Sequence, residues 1–129
     1  MSEAPRVLVV DDSKVSRIMS IGLLRKLLPG VVIHEAANAD DAQAVLAAEP
    51  VQWLLLDHNM PGITGLDLAQ SLTSSHPHLR VALLTANIQD ATQQRAAELG
   101  VTFFRKPIGE AVIRDIINTF GTPVDQGAA

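Results

Sequence analysis

The sequence predicts an α/β fold: a three-layer sandwich in which a parallel sheet of five strands lies between two layers of helices. Short apolar runs rich in valine and leucine recur along the chain, from RVLVV at residues 6–10 to VTFF at 101–104, as in strands buried on both faces. Segments with apolar residues at helical spacing separate them. Five strand-then-helix units of this size imply right-handed crossovers, and hence a parallel sheet covered on both sides. Size agrees, since 129 residues that are 47% hydrophobic and 19% charged suit one domain with one sizeable core.

The elements follow in order. Arg6–Val10 is the first strand, stopped by Asp11-Asp12-Ser13, which offers an N-cap for a helix from Lys14 to Leu28. Val15, Ile18, Met19, Leu23 and Leu27 mark its expected apolar side, and Pro29-Gly30 ends it. Val31–Ala36 is the second strand, and Asn38 caps a helix from Ala39 to Glu49 that Pro50 stops. Gln52–Leu56 forms the third strand, ending at Asp57. Met60-Pro61-Gly62 reads as a turn, and Thr64 caps a helix to Ser75. Leu79–Leu84 is strand four, Ile88–Leu99 the fourth helix closed by Gly100, and Val101–Phe104 strand five. After Lys106-Pro107 a last helix runs from Ile108 to Phe120, with Val112, Ile113, Ile116, Ile117 and Phe120 facing inward. Residues 121–129 read as a disordered tail behind a domain of residues 1–120.

Composition excludes several classes of function. Without cysteine there are no disulfides, thiolate metal sites or cysteine nucleophiles, which fits a reducing compartment. Fourteen acidic against ten basic residues and 3% aromatics argue against a nucleic-acid surface. No apolar run approaches the roughly 18 residues of a membrane span, and residues 1–6 lack a secretory apolar region. The expectation is a cytoplasmic domain with no membrane span and no second, DNA-binding domain within these residues.

The strand ends carry the chemistry. Strand one ends at Asp11-Asp12, strand three at Asp57 and strand four at Thr85, and strand five runs into Lys106. In a doubly wound sheet, sites lie outside the carboxyl ends of the strands. Carboxylates gathered at ~4 Å repel by about 4 kcal/mol per pair at an effective dielectric near 20, so a cation is expected among them. Oxygen ligands in a small site favour Mg²⁺ or Mn²⁺. Three carboxylates, one lysine and a divalent ion sum to zero charge, and such a site suits a phosphoryl group. Asp57 is the natural nucleophile, since a carboxylate can carry phosphate as an acyl phosphate.

Val9-Val10-Asp11-Asp12-Ser13, Leu55-Leu56-Asp57-His58-Asn59-Met60-Pro61-Gly62, Leu84-Thr85-Ala86 and Arg105-Lys106-Pro107 resemble the receiver domain of bacterial two-component response regulators, and closely the stand-alone chemotaxis type. The pieces span residues 6 to 120. The resemblance implies a flavodoxin-like sheet of order 2-1-3-4-5, with residues 1–120 as the receiver domain. It implies Asp57 as phosphoacceptor, Asp12 as direct metal ligand, Asp11 as a ligand through water, and Asn59 as a backbone-carbonyl ligand. Thr85 becomes the switch hydroxyl that bonds the phosphate, Lys106 its ion-pair partner, and the Lys106-Pro107 bond cis. Phe103 stands where the family often has tyrosine, so it can swing inward but cannot donate a phenolic hydrogen bond.

Taken singly, each piece has a plainer reading. Asp-Asp-Ser can be only a cap, as Asp40-Asp41 is only a pair of first-turn charges. Asp57 can be a turn residue, Thr85 a capping hydroxyl and Lys106 a surface lysine. His34, His58, His76 and His78 read as surface or loop histidines, and Gly62 and Gly65 as a turn and helix start rather than a phosphate loop. Together, the strand ends favour a switch that takes phosphate from a histidine kinase or histidine phosphotransfer protein. It would catalyse only its own phosphorylation and dephosphorylation. Its target would bind the face of the fourth helix, fifth strand and fifth helix, around Phe103. A receiver-like binding module that ignores phosphate is one alternative. An aspartate-nucleophile phosphatase of the haloacid-dehalogenase type is another, although Asp57-His58-Asn59 lacks its second acid.

Overall fold

The structure is a computed structural model that describes residues 4–58, 63–86 and 90–121. Strands and helices alternate: β1 (Arg6–Val10), α1 (Lys14–Leu27), β2 (Val32–Ala36), α2 (Ala39–Ala48), β3 (Trp53–Asp57), α3 (Gly65–Ser75), β4 (Arg80–Thr85), α4 (Asp90–Leu99), β5 (Thr102–Arg105) and α5 (Glu110–Gly121). All strand pairs are parallel, in the order β2-β1-β3-β4-β5. Most bounds fall within one or two residues of the expected ones. Gly121 closes α5 rather than opening a tail, and 122–129 lie outside the described residues, as does the Met60-Pro61-Gly62 turn.

Alternate residues of each strand feed two cores, because successive side chains of a strand point to opposite faces. Leu8, Val10, Leu54, Leu56, Val81 and Leu83 pack with α2, α3 and α4. Val7, Val9, Trp53, Leu55, Ala82 and Leu84 pack with Ile21 and Leu24 of α1 and Ile113, Ile116 and Phe120 of α5. The three expected N-caps form: the Ser13, Asn38 and Thr64 side chains accept from the backbone N–H of Ser16, Asp41 and Asp67. Two charged ties link helices across the surface. Glu110 of α5 takes Lys26 of α1 at 2.9 Å and Arg114 at 2.7 Å. Arg95 of α4 holds Asp67 of α3 at 2.6 Å.

One expected apolar face is corrected. Val15, Ile18 and Met19 are 68%, 56% and 48% exposed. At 100° per residue they share one side of α1, while Ser20, Ile21 and Leu24 turn toward the sheet. Leu23 and Leu27 pack partly against the core as expected. Among the described residues no helix is long and apolar enough to cross a membrane.

Candidate functional site

Strand register assembles the site. Val10 of β1 pairs with Leu56 of β3, so Asp11 and Asp57, each one residue further, emerge side by side at the carboxyl end of the sheet. Asp57 in turn pairs with Leu84 of β4, just before Thr85, and Thr85 pairs with Arg105 of β5, just before Lys106. Backbone bonds fasten the loops there: His58 N–H donates to Leu84 O and Lys106 N–H to Thr85 O, both at 3.0 Å. The Lys106-Pro107 bond is cis.

Asp11, Asp12 and Asp57 each offer a carboxylate oxygen, and these atoms lie within 4.8 Å of one another. Asp11 and Asp57 are buried and Asp12 is exposed, so the cluster opens to solvent through Asp12. Lys106 Nζ reaches Asp57 Oδ1 at 2.7 Å. Burial pushes the Asp11 carboxyl above its ordinary range; the Ser13 backbone N–H opposes this, the Asp57 charge adds to it, and Lys106 offsets part. That N–H donates to Asp11 Oδ1 at 2.8 Å. A set of carboxylate oxygens with no sulfur or imidazole, two of its members buried, fits a hard divalent cation such as Mg²⁺.

Four expected site residues therefore converge: Asp11, Asp12, Asp57 and Lys106. Thr85 is buried at the end of β4 beside them. Asn59 lies outside the described residues. Phe103 is half-buried on β5 opposite Leu83 and packs against the core under α2, α3 and α4. Two histidines are less superficial than expected. His34 lies within β2 and His58 directly after Asp57, and each has one buried ring nitrogen without a hydrogen-bond partner among the described residues.

Two neighbours of the site escape sequence reasoning. Arg17 of α1 donates from Nη1 to the Asp11 carbonyl at 2.5 Å and from Nε to Glu35 Oε1 at 3.1 Å. Its only sequence signal is its place on the side of α1 that also carries Ile21 and Leu24. Gly65 opens α3 against β3, and a Cβ there would stand 2.5 Å from Asp57 O and 2.7 Å from His58 Cα.

Residues 7–118 match the family described as "Response regulator receiver domain". The chain belongs to that family, whose members are phosphorylation-dependent signalling domains that typically bind Mg²⁺. It is 30% identical over 118 residues to the chemotaxis protein CheY of Pseudomonas aeruginosa, covering 87% of this chain and 92% of CheY. It is 31% identical over 120 residues to the response regulator protein PilR of the same organism, covering 92% of this chain but spanning only 26% of PilR. The structure of the chemotaxis protein CheY4 of Vibrio cholerae has the same fold, with a TM-score of 0.82 at 23% identity over 92% of this chain and 99% of that one.

Proposed function

We propose that this chain is a phosphorylation switch in which Asp57 receives a phosphoryl group from a histidine kinase or histidine phosphotransfer protein. The observation that carries the reading is the Asp57–Lys106 pair at 2.7 Å inside a cluster of three carboxylates. An Asp57 carboxylate oxygen attacks phosphorus as the bond from phosphorus to the donor's imidazole nitrogen breaks; the bond's electron pair stays on that nitrogen, and the ring, protonated on its other nitrogen, departs as neutral imidazole, leaving an acyl phosphate on Asp57. Lys106 meets the transferred phosphoryl oxygens with a compact ammonium, and Thr85 donates its hydroxyl to them once the acyl phosphate has formed. Asp11, Asp12 and Asp57 would hold Mg²⁺ or Mn²⁺, with the Asn59 carbonyl as a further ligand by family resemblance. When bound, the ion supplies positive charge against the phosphoryl oxygens.

The receiver unit is the expected residues 1–120 together with Gly121, which closes α5, and its chemistry is limited to gaining and losing its own phosphoryl group. We place it in the cytoplasm, in keeping with its cysteine-free composition. The donor finds an apolar footing on α1, where exposed Val15, Ile18 and Met19 begin three residues past Asp12. The downstream protein reads the α4-β5-α5 face around Phe103.

Incubation with acetyl phosphate and Mg²⁺, followed by intact-mass measurement, tests the reading. One added phosphoryl group, absent from Asp57→Asn and from samples with excess chelator, is the expected result. Continuous turnover without an adduct would indicate a phosphatase, and no adduct a phosphate-independent binding module.

A further inference from the structure

Arg17 shares the inward side of α1 with Ile21 and Leu24, at i, i+4 and i+7, where the helical pattern calls for an apolar side chain. Its side chain is only 14% exposed. A guanidinium is kept in so enclosed a place only if its donors are satisfied. Two of them are, and by different elements. Nη1 donates at 2.5 Å to the carbonyl of Asp11, in the loop after β1, and Nε at 3.1 Å to the Glu35 carboxylate on β2. The same loop is held from β2 by Asp11 N–H donating to Ala36 O at 3.1 Å.

We infer that Arg17 is a positioning residue for the acidic cluster, fixing the Asp11–Asp12 peptide so that both carboxylates keep their place beside Asp57. This rests on the proposed reading of Asp11, Asp12 and Asp57 as the cation site. The peptide is planar, so anchoring the Asp11 carbonyl sets the orientation of the whole unit leading into Asp12. Without a cation the three carboxylates repel, and Asp12, exposed on a loop, is the member free to retreat. Arg17 opposes that retreat from behind. Glu35 holds the other side of the fork and sets its direction. A lysine at this position could reach one acceptor, but its point-like ammonium cannot replace a planar fork that spans two elements.

A residue that only fastened α1 to the sheet would affect stability and leave metal affinity alone. The test is therefore titration of the full chain with Mg²⁺ by calorimetry, beside thermal melting in chelator. Arg17→Lys should weaken Mg²⁺ binding by about tenfold, the size expected when an outer partner of a metal ligand is lost. Glu35→Gln, at the exposed end of the tether, should weaken it by roughly two- to threefold in the same direction. Ile21→Val, which trims the core contact of the same helix, should lower the melting temperature and leave Mg²⁺ affinity unchanged. Arg17→Lys binding Mg²⁺ as tightly as the parent would overturn the inference, as would an equal loss of affinity in Ile21→Val. If Arg17→Lys does not fold, unchanged affinity in Glu35→Gln overturns it instead. Asp12→Ala keeps the two readings apart. A parent chain that binds no Mg²⁺, or binds it equally well as Asp12→Ala, overturns the cation site and Arg17's role with it. Loss in Asp12→Ala with none in Arg17→Lys overturns Arg17's role alone.

Discussion

Replacing Lys106 by methionine keeps most of the side-chain stem and removes the ammonium that stands 2.7 Å from Asp57 Oδ1. At an effective dielectric near 20, a pair at that distance attracts by about 6 kcal/mol before desolvation is counted. The Asp57 side chain is 4% exposed and the Lys106 side chain 23%, so the carboxylate left behind stays buried while the lysine had kept part of its hydration. The net loss should be about 3 kcal/mol, the lower end for breaking a buried pair by removing one partner. In a domain of this size that is a fall in melting temperature of about 8–12 °C in chelator. Saturating Mg²⁺ should close part of the gap, because the variant site is more negative by one unit of charge for the ion to meet. For the same reason Mg²⁺ affinity should rise by roughly five- to tenfold, on the order of 1 kcal/mol once solvent and salt reaching the open cluster have screened most of the bare charge effect. Calorimetric melting with and without Mg²⁺, together with titration of the ion, measures both effects. An equal fall in both conditions, with unchanged affinity, would refute the electrostatic account of the Asp57–Lys106 pair.

Asp12→Ala should abolish Mg²⁺ binding and phosphorylation with the circular dichroism of the parent, and raise the metal-free melting temperature by relieving like-charge repulsion; a clear fall would mean Asp12 serves structure. Thr85→Ala should still take phosphate on Asp57 by intact mass but lose the response of amide shifts around Phe103 to beryllofluoride, since a hydroxyl-to-phosphate bond is worth about 1.5–3 kcal/mol; a full response in the variant would sink that coupling. Glu110 is held down to about 2 from its ordinary 4.5 by Lys26 and Arg114. Its depressed value means stability fully present above pH 4.5 and lost as pH falls through about 2. Glu110→Gln should therefore flatten the acid limb of the stability profile in that window, and an unchanged limb in urea titrations would count against the α1–α5 tie.

The strands and their ends were legible because a doubly covered parallel sheet forces solidly apolar runs, and a polar residue closing such a run stands out. Asp57 after WLLL and Asp11 after VLVV are of this kind, and register then makes them neighbours. The face of α1 was not legible. Helical spacing selects Val15, Ile18 and Met19 as readily as Ile21 and Leu24, and only the packed sheet decides between them. Arg17 was hidden for a related reason: its meaning depends on Glu35, eighteen positions away on a strand whose alignment with α1 is not written in either segment. Gly65 looked like an ordinary helix start, because the atoms that exclude a side chain there belong to the backbone of β3.

That close approach of Gly65 gives Asp57 a neighbour made of main chain on one side. On the α3 side, Asp57 and His58 meet backbone directly: Gly65 N–H donates to His58 O at 2.9 Å, and a methyl group could not be inserted without displacing the main chain. On the β4 and β5 side, side chains stand beside Asp57: Lys106 at 2.7 Å and buried Thr85 at the end of β4. On the proposed reading, a group added to Asp57 would meet main chain on the α3 side and side chains on the β4 and β5 side. That asymmetry resides in a residue with no side chain, and it would persist in any relative that kept this glycine while changing every polar group on the opposite side.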